Sequence, residues 1–247
     1  MKVLYIGWGI FLLTCSAWAG TFLETFDDKD LKDWQKLNAH DAALGSWEVI
    51  EAELEMTNPD GGARLLTTGD GTWQDYSIEV NVKPLEKRGP GNISIVARVE
   101  GSRAVWCSIS DLFFNDPESK VMCLSRDFAG KTGIFLSMKP HRLLKLNEWS
   151  KLKLTVSGDH FILAINQKKV ARTGDPFVLL HEGEELMIKA EDIASHPTGG
   201  AGFGLANYTA RFDNIIITGE GIPDRGGLSV TPKAKLATTW GAVKVNP

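Results

Sequence analysis

Short runs of alternating apolar and polar residues recur between residues 20 and 219, and each run is closed by Gly, Pro, Asn or Asp. The run Tyr76–Val82 is the clearest, since Ile78, Val80 and Val82 alternate with polar side chains. A period of two indicates half-buried β-strands, and no stretch beyond the first residues keeps a helical pattern for more than about two turns. The chain is therefore predicted to be all-β.

Eleven segments qualify as strands by this criterion. They are Trp47–Ile50, Leu54–Thr57, Tyr76–Val82, Asn92–Val99, Ala104–Ile109, Lys120–Arg126, Thr132–Met138, Trp149–Ser157, Phe161–Asn166, Ala201–Asn207 and Phe212–Gly219. So many strands do not stay in one flat sheet, so we expect two packed antiparallel sheets. We expect little helix, with at most a short turn at Asp28–Trp34. No internal repeat interrupts the chain, which predicts one domain over residues 20–219.

The first residues are typical of an export signal. Met1 and Lys2 give a positive start, Val3–Leu13 is largely apolar, and Ala17-Trp18-Ala19 is a signal-peptidase pattern that predicts removal of residues 1–19. The apolar run is too short for a stable membrane span. An uncleaved anchor and a lipidated Cys15 are the alternatives. The protein is thus predicted to be secreted, periplasmic or on the cell surface.

The last residues have a different composition. Residues 220–247 are rich in Gly and Pro and lose the alternation, which predicts a tail. Its segment around Trp240 is apolar and aromatic, so it is a candidate extra edge strand or docking signal.

Two cysteines remain after removal of the signal, Cys107 and Cys123. Each lies in an alternating apolar run, so both side chains are predicted to point into the core. An even pair in an exported chain predicts a disulfide, with two unlinked core thiols as the alternative.

The charge balance bears on the partner. There are 27 Lys and Arg residues against 31 Asp and Glu residues, a net charge of −4. A nucleic-acid-binding protein carries a basic stripe, so this composition argues against a nucleic-acid partner.

Several short motifs follow one another in an order found in a known family. They are Phe22-Leu-Glu24-Thr-Phe26-Asp27-Asp28, Trp34, Trp47-x-Val49, Trp73-x-Asp75-Tyr76-Ser-Ile-Glu-Val, Asn147-Glu148-Trp149, Gly202-x-Gly204-Leu205 and Ala210-Arg-Phe212-Asp213-Asn214-Ile215-x-Ile217. Together they resemble the concanavalin A-like jelly roll, and within it the laminin-G-like exported bacterial domains and the 3-keto-disaccharide hydrolase-like domain. That scaffold hosts lectins, carbohydrate-binding modules, glycosidases and adhesion domains, so fold alone does not define function.

The resemblance implies one structural Ca²⁺ between the first and last strands. Glu24 and Asp213 match the ligand positions, with Asp27 or Asn214 as further ligands. Calcium takes six to eight oxygen ligands. The alternative is that both carboxylates only accept backbone hydrogen bonds.

Catalytic carboxylates are poorly represented. A retaining glycosidase needs two carboxyl groups about 5–5.5 Å apart. The look-alike Glu51-Ala-Glu53-Leu-Glu55 falls at a hairpin, where an exposed acidic edge is the simpler interpretation. The strand ending at Asp111 lacks the acidic run that the hydrolase-like resemblance implies. No catalytic residue is therefore assigned.

A sugar-binding surface is better supported. If Cys107 and Cys123 point inward, the alternate residues of three strands point outward together into a hollow, where an indole and polar groups suit a pyranose. These candidate ligand-binding residues are Asn92, Ser94, Arg98, Trp106, Ser108 and Arg126. The alternative is that Trp106 lies in a second small core beneath a loop such as Phe113–Pro117.

Three functions follow in order of preference. The first is an exported, non-catalytic domain that binds a polysaccharide or glycan. The second is a glycoside-processing enzyme of the 3-keto-disaccharide type, for which Asp111 and Glu79 are the residues to test. The third is a structural or adhesion module that uses the Trp240 tail as a docking peptide.

Overall fold

The computed structural model describes residues 19–38, 45–112, 119–130, 132–181, 184–190, 192–193 and 195–225. Within these ranges the chain forms strands and turns but no helix. The strands are β1 (Ala19–Glu24), β2 (Gln35–Asn38), β3 (Ser46–Ile50), β4 (Glu53–Asn58), β5 (Arg64–Thr68), β6 (Tyr76–Glu100), β7 (Arg103–Ser110), β8 (Lys120–Asp127), β9 (Thr132–Pro140), β10 (Ser150–Ser157), β11 (His160–Ile165), β12 (Lys168–Arg172), β13 (Phe177–His181), β14 (Glu184–Ile188) and β15 (Gly200–Glu220). The predicted all-β jelly-roll fold is confirmed.

Two long strands organise the sandwich. β6 and β15 pair antiparallel along nearly their whole length, with several register shifts. The first half of β6 pairs with β10, and β11 and β12 follow outward, which makes the first sheet. The second half of β6 pairs with β7, and β8 and β9 follow, which makes the second sheet. The other side of β15 carries β5, β4 and β1 in turn.

β6 replaces two predicted strands, Tyr76–Val82 and Asn92–Val99. The intervening Pro and Gly residues predict an interruption, but pairing with β15 carries the strand through them. Register shifts in that pairing absorb the irregular backbone, as β-bulges do. Ile78 and Ile95, from the two halves, lie in one buried cluster, so the strand folds over and brings the sheets face to face.

A second buried cluster lies on the other face of the second sheet, which we call the far face. It contains Val96, Trp106 and Leu124 from consecutive strands. The hairpin β13–β14 covers part of this face, because Phe177 is buried in the same cluster. The sandwich thus has a main core between the sheets and a smaller core under a hairpin.

The chain termini lie partly outside the described residues. Residues 1–18, with Cys15, and residues 226–247, with Trp240, fall there, as do residues 113–118 of the loop predicted above Trp106. Residues 220–225 return along β1, where the Arg225 carbonyl accepts a hydrogen bond from the Leu23 amide at 3.0 Å. The described part of the chain holds no helix of the length and apolarity that a membrane crossing requires.

Candidate functional site

The cysteine pair orients the strands that carry the candidate site. Cys107 and Cys123 face each other across β7 and β8 and form a disulfide, as predicted. Both lie in the main core. Because side chains alternate along a strand, Trp106 and Ser108 point to the far face. The predicted orientation of these two residues is therefore confirmed.

The predicted exposure of Trp106 is wrong. The indole is 1% exposed and packs in the second core, edge-on to Phe128 with ring centroids 6.0 Å apart. The same core contains Phe177 of β13, a strand absent from the prediction. The open stacking platform expected for a pyranose is therefore not present, and the alternative of a second small core describes Trp106 better.

Arg126 also lies on the far face, at the margin of the second core. Its guanidinium carbon is 5.8 Å from the Trp106 ring centroid and 5.9 Å from that of Phe128. Such cation–π geometry stabilises a partly desolvated cation. Burial lowers the pKa of Arg126, but the group remains a cation at neutral pH. Arg126 therefore helps to close the second core.

The polar end of the far face is different. Asn92 and Ser94 of β6 lie opposite Ser110 and Ser108 of β7, and all four residues are buried. We call these four residues the Asn–Ser row. A buried polar row in a sandwich sheet is unusual, because a polar group taken out of water costs free energy unless it is hydrogen-bonded.

Half of the row is satisfied within the protein. The Ser94 hydroxyl donates to Asn92 Oδ1 at 2.7 Å. The Ser110 hydroxyl accepts from the Leu112 amide at 3.0 Å and lies 3.2 Å from the Gly91 carbonyl oxygen. In contrast, Asn92 Nδ2 and Ser108 Oγ are buried and find no hydrogen-bond partner among the described residues. Fewer than one buried polar group in ten is left in this state.

The row ends at a partly exposed ion pair. Lys87 Nζ lies 2.8 Å from Asp111 Oδ2, and both side chains are about one quarter exposed. Asp111 Oδ1 accepts a hydrogen bond from the Gly91 amide at 2.7 Å, which holds the turn that precedes Asn92. The far face therefore passes from an apolar end at Trp106 to the Asn–Ser row, and Asp111 of the Lys87–Asp111 pair follows Ser110 directly along the chain.

Arg98 does not belong to this face, although alternation predicts it there. A register shift interrupts the pairing of β6 with β7 after Ala97, and Arg98 has φ +52°. A bulge of this kind re-aims a side chain. The Arg98 guanidinium donates to the His196 carbonyl at 2.8 Å and to the Gln74 carbonyl at 3.2 Å. It also lies 3.4 Å from Asp75 Oδ1.

The Arg98 cluster also contains a histidine, His196. His196 Nε2 lies 2.6 Å from the Ser125 hydroxyl. Burial, followed by the charges of Arg103 and Arg98, lowers the pKa of His196 to about 4, so the ring is neutral at pH 7. No motif or spacing in the sequence indicates that Ser125 and His196 meet.

The predicted calcium ligands are both engaged in hydrogen bonds. Glu24 Oε1 accepts from the Phe26 amide at 2.7 Å and Oε2 accepts from the Trp34 indole at 3.1 Å. Asp213 Oδ1 accepts from the Asn214 amide at 2.7 Å. No group of three or more acidic, His or Cys side chains with metal-site geometry occurs among the described residues. The calcium site stays a prediction.

The acidic hairpin is neutralised from β15. Arg211 lies 3.0 Å from Glu53 and 3.1 Å from Glu55, with Glu51 at 3.6 Å. These hydrogen bonds raise the pKa of Arg211. The carboxylates are thus held around one arginine at the β3–β4 hairpin, as expected for a structural edge rather than a glycosidase pair.

The fold defines a class of protein, the galectin- and concanavalin-like β-sandwiches. Similar solved structures include a carbohydrate-binding module of Bacillus subtilis (CBM66; 13% identity, TM-score 0.50, covering 74% of this chain and 93% of that chain). A B. subtilis protein of unknown function with a galectin-like fold is 12% identical, with a TM-score of 0.56 and coverage of 79% and 94%. The CBM2 module of the evolved Dit protein of Lactobacillus casei BL23 phage J-1 is 10% identical, with a TM-score of 0.53 and coverage of 81% and 95%. These likenesses show the fold.

The sequence itself identifies the family to which the chain belongs. The profile of the 3-keto-alpha-glucoside-1,2-lyase-like domain matches residues 21–218, so the chain belongs to this family. No curated protein matches the sequence significantly.

Proposed function

We propose that this protein is a carbohydrate-binding β-sandwich domain whose ligand contacts Asn92 and Ser108 of the Asn–Ser row. The observation that carries the proposal is the pair of buried, unpartnered polar atoms, Asn92 Nδ2 and Ser108 Oγ, in neighbouring strands of one face. A sugar hydroxyl donates and accepts at once, so it satisfies an amide donor and a serine hydroxyl together. The Lys87–Asp111 pair gives further polar contacts at the exposed end of the row.

The comparisons support a carbohydrate ligand. Two of the similar structures are named as carbohydrate-binding modules, and the family is named for an activity on a keto-glucoside. The buried position of Trp106 removes stacking on that indole from the proposal. Recognition then rests on hydrogen bonds to hydroxyl groups, which favours discrimination between sugars over raw affinity.

The direct test is a glycan array with the purified protein, followed by calorimetry on each glycan that binds. We expect Asn92→Ala and Ser108→Ala to weaken binding at least tenfold, which corresponds to about 1.4 kcal/mol. Ser110→Ala is the matched control, because its hydroxyl already has partners within the protein. Absence of binding to any glycan, or equal affinity in all three variants, would contradict the proposal.

The family name supports a second candidate, a lyase. Elimination across C1 and C2 of a 3-keto-glucoside breaks the C2–H bond and the C1–O bond to the aglycone. It requires a base for the C2 proton, a group that stabilises the enolate at the C3 carbonyl, and a proton for the departing aglycone oxygen. Asp111 with Lys87 is a carboxylate–ammonium pair beside the Asn–Ser row that offers the base and the cation. Once protonated, Asp111 can return the proton to the departing aglycone oxygen. Release of product from a 3-keto-disaccharide, lost in Asp111→Asn, would establish the enzyme. If the protein binds the 3-keto-disaccharide but does not convert it, the lyase is rejected and the carbohydrate-binding function remains.

We also propose that the protein acts after export. The predicted signal peptide and the Cys107–Cys123 disulfide support this, because disulfides persist in oxidising compartments. N-terminal sequencing of the exported protein is expected to begin at Gly20. A protein that keeps Met1 and stays in the cytoplasm would contradict export.

A further inference from the structure

A groove crosses the outer face of the first sheet, on the opposite side of the main core from the second sheet. Its volume is about 440 Å³. Ile162 and Ala164 of β11 form part of its lining, together with Lys151, Lys153 and Lys169. The groove shares no residue with the Asn–Ser row, so it is a separate site.

The strand register places charged residues across this groove in one line. Glu79 of β6 lies opposite Lys153 of β10, which lies opposite Ala164 of β11, which lies opposite Lys169 of β12. Side chains in such a cross-strand row point to the same face. Ala164 has the smallest side chain of the row, so a hollow lies between the two lysines on either side of it.

The lysines outnumber the carboxylates. Glu79 Oε1 lies 2.8 Å from Lys153 Nζ, and Oε2 lies 3.3 Å from Lys151 Nζ. The hydrogen bond from Lys153 holds the pKa of Glu79 below its ordinary value, so Glu79 is ionised. Lys169 is exposed and makes no ion pair with the described acidic residues. Three ammonium groups and one carboxylate thus line the groove.

We propose that this groove binds an anionic pyranose of an acidic polysaccharide, with the sugar carboxylate between Lys153 and Lys169. Ile162 and Ala164 offer an apolar surface for the C–H face of the ring. Gln167 and Thr155, which also line the groove, present an amide and a hydroxyl to the sugar hydroxyls. The ammonium excess of the groove matches a uronate.

A nucleic acid is a poorer fit to the same charges. No aromatic side chain is among the described residues that line the groove, so unpaired bases have nothing to stack on. The net charge of the whole chain is −4, which opposes a long polyphosphate. The proposal therefore commits to a polysaccharide.

Affinity electrophoresis in gels that contain polygalacturonate tests the site. We expect Lys153→Gln and Lys169→Gln each to weaken retardation about three- to fivefold, the scale of one exposed ion pair. Lys145→Gln is the matched control, since Lys145 is exposed and pairs with Glu148 away from the groove. Glu79→Gln is expected to strengthen binding, because Lys151 and Lys153 lose a competing carboxylate.

Thermal unfolding of each variant confirms that the sheet is intact. Equal weakening by Lys145→Gln would show diffuse attraction and overturn the site. Weaker or unchanged binding in Glu79→Gln would overturn it as well. Gels with dextran sulfate separate carboxylate recognition from general anion binding: retardation equal to that in polygalacturonate contradicts the uronate assignment. The two proposals can fail separately. If polygalacturonate retards the protein and Lys169→Gln weakens this, while no glycan binds at the Asn–Ser row, the groove stands and the function proposed for the far face is rejected.

Discussion

Arg98 and Asn92 are both buried residues in the second half of β6, yet their polar groups are treated differently. The Arg98 guanidinium has carbonyl partners from Gln74 and His196. Asn92 Nδ2 has no partner among the described residues. A buried polar group that the fold fully satisfies belongs to the folded structure, whereas one that the fold leaves unsatisfied gains free energy from a ligand atom that reaches it. The number of hydrogen-bond partners therefore distinguishes the structural Arg98 from the ligand-binding candidate Asn92 better than burial does.

Trp106→Ala is expected to have the largest effect on stability. The indole is buried in the second core, so its removal leaves a cavity that costs about 3–5 kcal/mol. Urea unfolding of the wild type and the variant measures this cost. Trp106→Phe keeps most of the ring volume and is the control. A cost below about 1 kcal/mol would mean that the indole is loosely packed and would return Trp106 to the ligand-binding candidates.

Arg98→Met is expected to have the next largest effect, a loss of about 3 kcal/mol in the free energy of unfolding. Met keeps the aliphatic volume but leaves the buried carbonyls of Gln74 and His196 without their donor. Arg98→Lys is expected to recover only part of the loss, because an ammonium cannot reproduce the planar geometry of the guanidinium. The same unfolding measurement checks both variants. Equal stability of Arg98→Met and wild type would show that the bulge does not depend on this side chain.

The pH dependence of stability tests the same cluster. The pKa of His196 is about 4 in the folded protein, below the ordinary value of 6.5. The unfolded chain therefore binds the extra proton between these values, so stability is complete above pH 6.5 and falls as the pH drops toward 4. We expect a loss of about 2 kcal/mol between pH 7 and pH 4.5.

His196→Gln provides the control for this effect. The variant is expected to be less stable at pH 7 but to lose the part of the pH dependence that the imidazole contributes. An identical pH profile in both proteins would show that His196 titrates normally. In that case the tight contact between His196 and Ser125 would not persist in solution.

The sequence predicts the sheets well because alternation is a local signal. It misses β5, whose five residues Arg64–Thr68 are all buried and so do not alternate. It also misses the hairpin β13–β14, whose Phe177 joins the second core through packing between segments far apart in the sequence. For these reasons the sequence predicts that the chain is built of strands, but it does not predict that the β13–β14 hairpin covers part of the far face.

In the candidate site, too, the local features are predictable from the sequence and the features that depend on tertiary structure are not. The cysteines correctly predict which residues share the face of Trp106, since that depends only on register. Arg98 departs because a bulge reverses the side-chain direction, and a bulge depends on a positive φ that the residue type does not reveal. Which members of the Asn–Ser row lack partners depends on distances between strands, so the sequence alone carries no signal for it.

The smallest expected effect is the most specific one, a difference between two serines of the same strand. Ser110 is hydrogen-bonded and Ser108 is not. Ser110→Ala should destabilise the protein by about 1 kcal/mol, while Ser108→Ala should leave stability unchanged or raise it by up to about 1 kcal/mol. Urea unfolding of both variants without ligand measures the difference. If both substitutions cost the same, Ser108 is satisfied in solution, and its hydroxyl is not left open for a sugar.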